Sequence, residues 1–497
     1  MDYIAGLGAD AVWLSPFFRS PHKDFGYDVS DYREVDPVFG TNADFEALLA
    51  EAHGRGLKII LDLVMNHTSD EHPWFKASLS RSHPYRKWYV WHDGPKPPNN
   101  WRSLVGGKAW QPRDGSWYYT AFLPFQPDLN HRNPDVRREM LNVARYWLEK
   151  GVDGFRLDIF NCLFEDEKLR NNPRTWRFFP TEHDPSLFFR RPKYTLNLPE
   201  SVEFAKALRA LTDRYPDRYL VGEVMGTETE SRQFCGNAVG DRTDGLHTVF
   251  LFRTLSTPFS ARAFRKLIRR FERRFPEPYF PTWVFSNHDR VRHFTRLGES
   301  WEKAKVAAAL QLTSRGAPFI YYGEEIGMAQ HRISLRQALD PLAEPWKKLP
   351  GFVVNLLRKR GLSLNRDECR TPMQWDDGPN AGFSAAEPWL PLLPEHRRCN
   401  VKVQDADPHS LLNVYRRLVR LRKSEAALRV GSVEILPSPA GTLVYRRAHG
   451  GRKLLVALNF GAKAKKIPYP ATQILFSTHA DAYPKLPGYA ATVALEN

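Results

Sequence analysis

Gly154-Phe155-Arg156-Leu157-Asp158 decides the reading of this chain. It is a short apolar run that ends on a carboxylate, with one buried-type position given to arginine. Two other stretches repeat the arrangement: Val221-Gly222-Glu223-Val224, and Phe285-Ser286-Asn287-His288-Asp289. A strand in a parallel sheet is covered on both faces and so is apolar along its length, while functional side chains gather at its carboxyl end. Further runs of the same kind lie at 11–14, 58–64, 219–222, 247–251, 282–285 and 318–322, which with 154–157 makes seven. Amphipathic patterns such as 44–52 and 136–148 lie between them. Alternating β and α elements predict an α/β fold of the (β/α)8 TIM-barrel type, which eight such strands would close.

Some connections are too long for ordinary βα loops. Residues 67–130 are rich in aromatics, Pro and Gly, and read as an inserted domain walling a cleft. The barrel then takes 1–66 and 131–425, with insertions at 164–201 and 329–388. Short strand-like segments without helices fill 426–497 and predict a C-terminal antiparallel β domain.

Composition narrows the function classes. The net charge of +16 is spread along the 497 residues, with local runs such as Arg269-Arg270 and Arg273-Arg274 that fit a solvated helix face. Nucleic-acid binding needs a concentrated basic face, so none is expected. The 14 Trp, 19 Tyr and 31 Phe suit either a sugar cleft or a large core. Cys162, Cys235, Cys369 and Cys399 fit no zinc spacing and are too few for a disulfide framework, which favours reduced thiols in a cytoplasm. No run reaches membrane-span length and no secretory signal opens the chain as written.

Any single acid after a strand could be a helix N-cap. The joint pattern differs, because each acid has polar company. Strand alternation puts Arg156 on the same side as Asp158, where it would keep that carboxylate ionised and fixed. Glu223 is flanked by Val221 and Val224, and an apolar pocket there would keep it protonated, as a general acid requires. Asn66-His67 and His288 also follow strand-like runs.

These residues, with Asp62-Leu63-Val64-Met65-Asn66-His67, Gln126-Pro127-Asp128-Leu129-Asn130 and Arg370-Thr371-Pro372-Met373-Gln374-Trp375, give the chain its resemblance to the α-amylase superfamily, within it to the oligo-1,6-glucosidase and α-glucosidase group. The motifs occur in the family's order over most of the chain. The resemblance implies a retaining, exo-acting α-glucosidase on short maltose-, isomaltose- or sucrose-like substrates. Asp158 would be the nucleophile, Glu223 the acid/base and Asp289 the stabiliser of the distorted ring. His67, His288 and Arg156 would hold hydroxyls and the nucleophile, and Phe122 would form an aromatic wall. Tyr27 would stack on the terminal glucose, with Asp24 paired to Arg370 behind it; Arg366 is an alternative to Arg370. Retention of this kind needs the two reacting carboxyl groups about 5 to 5.5 Å apart.

Measured against the family, the chain begins at the end of the first helix, so the resemblance implies a barrel with its first strand missing, and a truncated or wrongly started reading frame is expected. The loop where relatives bind calcium or magnesium is then lost, and neither metal nor cofactor is expected. Ile159, after the nucleophile, tilts the bond preference toward α-1,6. A transglycosylase or sugar isomerase on the same scaffold is the alternative reading. A non-catalytic transporter ectodomain fits poorly, since all the acids are present and no membrane span is. A monomer or homodimer is expected, with no membrane partner.

Overall fold

The computed structural model describes residues 1–178, 180–181, 184–359, 363–480 and 483–496, so parts of the insertions at 164–201 and 329–388 and of the C-terminal span lie outside the described residues. The chain divides into two compact units: residues 1–5, 9–250 and 277–279, and residues 6–8, 251–276 and 280–497.

The first unit contains β1 (Ala11–Leu14), α1 (Asn42–Gly54), β2 (Lys58–Leu63), β3 (Trp91–Asp93), β4 (Trp110–Arg113), β5 (Ser116–Tyr119), α2 (Pro134–Glu149), β6 (Gly154–Leu157), α3 (Pro199–Thr212), β7 (Tyr219–Gly222) and β8 (Thr248–Val249). Five of these strands form one sheet in the order β1-β2-β6-β7-β8, and every pairing in it is parallel. The helices start on sequence signals. Thr41 and Asp44 make a capping box for α1, and Asn133 caps α2 ahead of Pro134. Trp147 of α2 is wholly buried, stacks on Phe18 and donates from Nε1 to the Tyr32 carbonyl at 2.8 Å. Within 67–130, β3, β5 and β4 make a small antiparallel sheet over Trp101, Trp110 and Tyr119.

One glycine sets the strand spacing. Gly154 has φ +153°, and a Cβ there would lie 1.9 Å from the Tyr219 carbonyl oxygen. Only glycine lets β6 approach β7 this closely.

The second unit contains α4 (Ala261–Arg274), β9 (Thr282–Val284), α5 (Trp301–Thr313), β10 (Ala317–Phe319), α6 (Leu411–Ser424), β11 (Ser432–Leu436), β12 (Thr442–His449), β13 (Arg452–Asn459), β14 (Gln473–Ser477) and β15 (Ala491–Leu495). β9 and β10 pair in parallel, so all seven apolar runs picked out in the sequence become parallel strands. The last five strands form an antiparallel sheet in the order β11-β12-β13-β15-β14. Its tie to the preceding helices is polar and buried: Arg447 donates to the carbonyls of Thr313 and Gly431. All four cysteines are free.

Candidate active site

The register of the parallel sheet builds the site in the first unit. Asp62 on β2 lies directly across from Arg156 on β6, and Arg156 across from Val221 on β7. Residues in register on neighbouring strands point to the same side. Arg156 therefore meets the Asp62 carboxylate, donating from Nη1 to Oδ1 at 2.8 Å and Oδ2 at 3.0 Å. The same nitrogen reaches Asp158 Oδ1 at 2.6 Å, two residues on along its own strand. Nη2 donates to Glu223 Oε2, just past the end of β7. One guanidinium, 1 % exposed, thus serves three carboxylates.

Backbone bonds carry the ladder past the strand ends and hold both acids at its rim. Asp158 N–H donates to the Leu63 carbonyl at 3.2 Å, and Glu223 N–H to the Leu157 carbonyl at 2.8 Å. Ile159 then turns the chain with φ 36° and ψ 45°, a left-handed conformation that costs a β-branched residue on the order of 1–3 kcal/mol. Arg156 stands beside Asp158, as their shared strand face predicts. The expectation for Glu223 is corrected: valines flank it in sequence, but its carboxylate meets a cation rather than an apolar pocket.

Asp62 was quoted in a motif without being assigned a place in the site. It also accepts from Tyr27 Oη at 3.0 Å and Trp13 Nε1 at 3.1 Å. Burial pushes its pKa up to about 6 against the opposing pull of Arg156, while Glu223 adds to the rise. Arg156 is held well above its ordinary value by the surrounding carboxylates, although burial alone would lower it. The cluster carries one cation among three acids, so it titrates as a set. The signal for Asp62 was available: it is the single charged residue in the otherwise apolar stretch 59–63, all of it buried.

The remaining first-unit candidates surround this cluster. Tyr27 is buried, with its ring 5.7 Å from the Arg156 guanidinium; Trp13 lies over the same group at 4.9 Å. His67 is buried, and desolvation lowers its pKa to about 4, which keeps the ring neutral. Its Nε2 lies 3.2 Å from the Tyr27 carbonyl and its Nδ1 lies 3.3 Å from the Asn66 amide nitrogen, an arrangement that assigns the proton to Nε2. Phe122 stands 5.9 Å from the His67 ring. Asp24 is buried, and its Oδ2 accepts from Gln126 Nε2 at 3.0 Å. Gln126 and Asp128 of the Gln-Pro-Asp-Leu-Asn string thus hold Asp24 and Asn66, the latter donating to Asp128 at 2.9 Å. Burial pushes the Asp128 pKa up to about 8.

The second unit holds the other candidates. Asp289 Oδ1 accepts from Arg370 Nη2 at 3.0 Å and lies 3.5 Å from Arg366 Nη1; Oδ2 is 3.3 Å from His288 Nε2. Arg370 also donates from Nε to the His288 carbonyl at 2.8 Å. Arg366 is committed mainly to the buried Asp340, through Nε and Nη2 at 2.8–3.1 Å. The two arginines therefore have separate duties on Asp289, with Arg370 the closer. Among the described residues no group of three or more His, Cys, Asp or Glu is arranged to hold a metal ion, and no helix is long and apolar enough to cross a membrane.

The model of the α-amylase catalytic domain matches residues 1–431, and a domain of unknown function, DUF3459, matches 429–493. A probable α-glucosidase of Rhizobium meliloti is 41% identical over 94% of this chain and 85% of its own length. An oligo-1,6-glucosidase of Parageobacillus thermoglucosidasius is 35% identical over 96% and 88%. Among solved structures, the α-glucosyl transfer enzyme XgtA superposes with a TM-score of 0.89 at 38% identity, covering 100% of this chain and 93% of that one. The trehalulose synthase MutB gives 0.88 at 30% identity, covering 99% and 94%. The chain belongs to the α-amylase catalytic-domain family.

Proposed function

We propose that this protein is a retaining, exo-acting α-glucosidase that hydrolyses terminal α-glucosidic bonds of short maltose-, isomaltose- or sucrose-like oligosaccharides. The observation that carries the reading is the shared Arg156 guanidinium, which binds Asp158 and Glu223 at adjacent strand ends. In the first displacement Asp158 attacks the anomeric carbon while Glu223 protonates the departing oxygen; in the second Glu223 takes a proton from water, which opens the glycosyl ester with net retention. Arg156 orients Asp158 and favours its ionised form. Glu223 exchanges its bond to Arg156 for the glycosidic oxygen when substrate enters. Asp289, oriented by Arg370 and His288, binds ring hydroxyls and favours the distorted sugar. His67 exchanges the Tyr27 carbonyl for a hydroxyl, and Phe122 and Tyr27 supply aromatic surface. Asp24, held by Gln126, grips the terminal glucose together with Tyr27, and Ile159 weakly tilts the preference toward α-1,6 bonds.

The supporting scaffold in this reading is a (β/α)8-type barrel to which the seven parallel strands belong, walled by 67–130 and followed by the β domain at 426–497. The four free cysteines favour a reducing compartment such as the cytoplasm. A monomer or homodimer needing no metal or cofactor suffices for this chemistry.

Glucosyl transfer or sugar isomerisation is the second reading, favoured by the likeness to XgtA and MutB. The two share every step up to the glycosyl ester and differ in the acceptor. Incubation with maltose, isomaltose, sucrose and trehalose, with products followed over time, separates them. Free glucose rising in step with substrate loss is the expected outcome. An isomer accumulating at constant total disaccharide would replace hydrolysis by isomerisation.

A further inference from the structure

The helix α6 of the second unit carries a run of arginines whose members are not alike. Arg416 pairs with Asp405, and Arg422 caps the carbonyls of Leu312, Ser314 and Gly316. Arg417 and Arg420 do neither. Among the described residues no carboxylate pairs with either one, and the only bond from Arg420 runs from Nε to the Arg416 carbonyl at 3.3 Å. The Arg417 Nε is buried without an acceptor. Both line a cleft of about 460 Å³ between α6 and β14.

The other wall is mostly apolar, with Ser477 at its end, and follows a strand defect. A regular strand turns successive side chains to opposite faces. Here Ile474, Leu475 and Phe476 all line the cleft, because the pairing of β14 with β15 shifts register between Ile474 and Phe476. Bulges re-aim side chains in this way. Phe476 lies under the Arg417 guanidinium at 5.1 Å, which fixes the plane of its donors, and Leu421 of α6 completes the apolar lining. Burial and the nearby Arg420 lower the Arg417 pKa.

We propose that this cleft binds the phosphate group of a small phosphate monoester whose body is apolar or ring-shaped. Two guanidiniums with donors to spare match the several acceptors of a phosphate better than those of a single carboxylate. The apolar wall takes the body, and the volume lies in the range of small-molecule sites. Among the described residues no acid, histidine or cysteine lines the cleft, so the ligand is held rather than transformed. The site is separate from the glycosidic chemistry proposed above and does not depend on it.

Calorimetric titration of the full chain with phenyl phosphate, inorganic phosphate, benzoate and phenol tests the assignment. Phenyl phosphate is expected to bind at least tenfold more tightly than inorganic phosphate or benzoate, with phenol undetected. Arg417→Gln and Arg420→Gln should each weaken phenyl phosphate at least tenfold. Arg420 is exposed, so its variant decides the matter where Arg417→Gln does not fold. An unchanged affinity in Arg420→Gln overturns the site. Benzoate matching phenyl phosphate overturns the phosphate assignment, and inorganic phosphate matching it overturns the role of the apolar wall.

Discussion

Arg156 is the residue on which the first-unit site depends. Its three carboxylate partners are buried, and removing the cation leaves three acids facing one another. Breaking a buried ion pair by deleting one partner costs about 3–5 kcal/mol. Arg156→Met should therefore lower thermal stability by several degrees or more and abolish turnover, read by calorimetry and by glucose release. A variant that keeps its melting temperature and its rate contradicts the cluster as described. Much of this arrangement was legible beforehand. Arg156 two residues before Asp158 predicts a shared face, and the 2.6 Å bond between them bears that out. Glu223 was misread because sequence neighbours are not spatial neighbours: Val221 and Val224 flank it along the chain, while its carboxylate meets a side chain from the next strand. Asp62 escaped for the same reason, since its partner lies 94 residues away.

At the level of elements, strand positions could be read from apolar runs, and all seven became parallel strands. Register could not be read, because it depends on which strands become neighbours and how closely they pack. Gly154 shows what fixes it. With φ +153° and no room for a Cβ against the Tyr219 carbonyl, Gly154→Ala must push β6 and β7 apart at the point from which Arg156 and Glu223 are aimed. The expected result is loss of soluble folded protein, or a destabilisation above about 3 kcal/mol, read by chemical denaturation. Near-native stability in that variant would mean the strand spacing is looser than described. The Gln-Pro-Asp-Leu-Asn string gives a second lesson. Its resemblance to the group was visible, but its physical duty was not: Gln126 and Asp128 hold Asp24 and Asn66 in place from within the inserted segment.

Across the whole molecule, two sets of buried groups set the pH dependence of stability, with opposite signs. Burial depresses the pKa of His67, His131 and His247 to about 4, that of His72 to about 3, and that of His293 well below its ordinary value. Such groups contribute stability above about pH 6.5 that is lost as pH falls toward 4, because only the unfolded chain takes up the protons. Burial raises Asp62 to about 6, Glu324 to about 7 and Asp128 to about 8. These contribute stability at low pH that is lost as pH rises through those values, because the folded chain keeps protons that the unfolded one releases. The histidines dominate the balance below about pH 6 and the carboxyls above it. The melting temperature should therefore pass through a maximum near pH 6, and His247→Phe should flatten the acid side. A melting temperature that rises steadily from pH 5 to 8 contradicts this balance.

The proposed mechanism depends on attack by Asp158 on the sugar. Incubation with 5-fluoro-α-glucosyl fluoride slows the second displacement and lets a glycosyl ester accumulate, which peptide mass spectrometry can locate. One fluoroglucosyl adduct is expected, on the peptide carrying Asp158 and absent from Asp158→Asn. An adduct on Glu223 or Asp289, or turnover retained by Asp158→Asn, would contradict it.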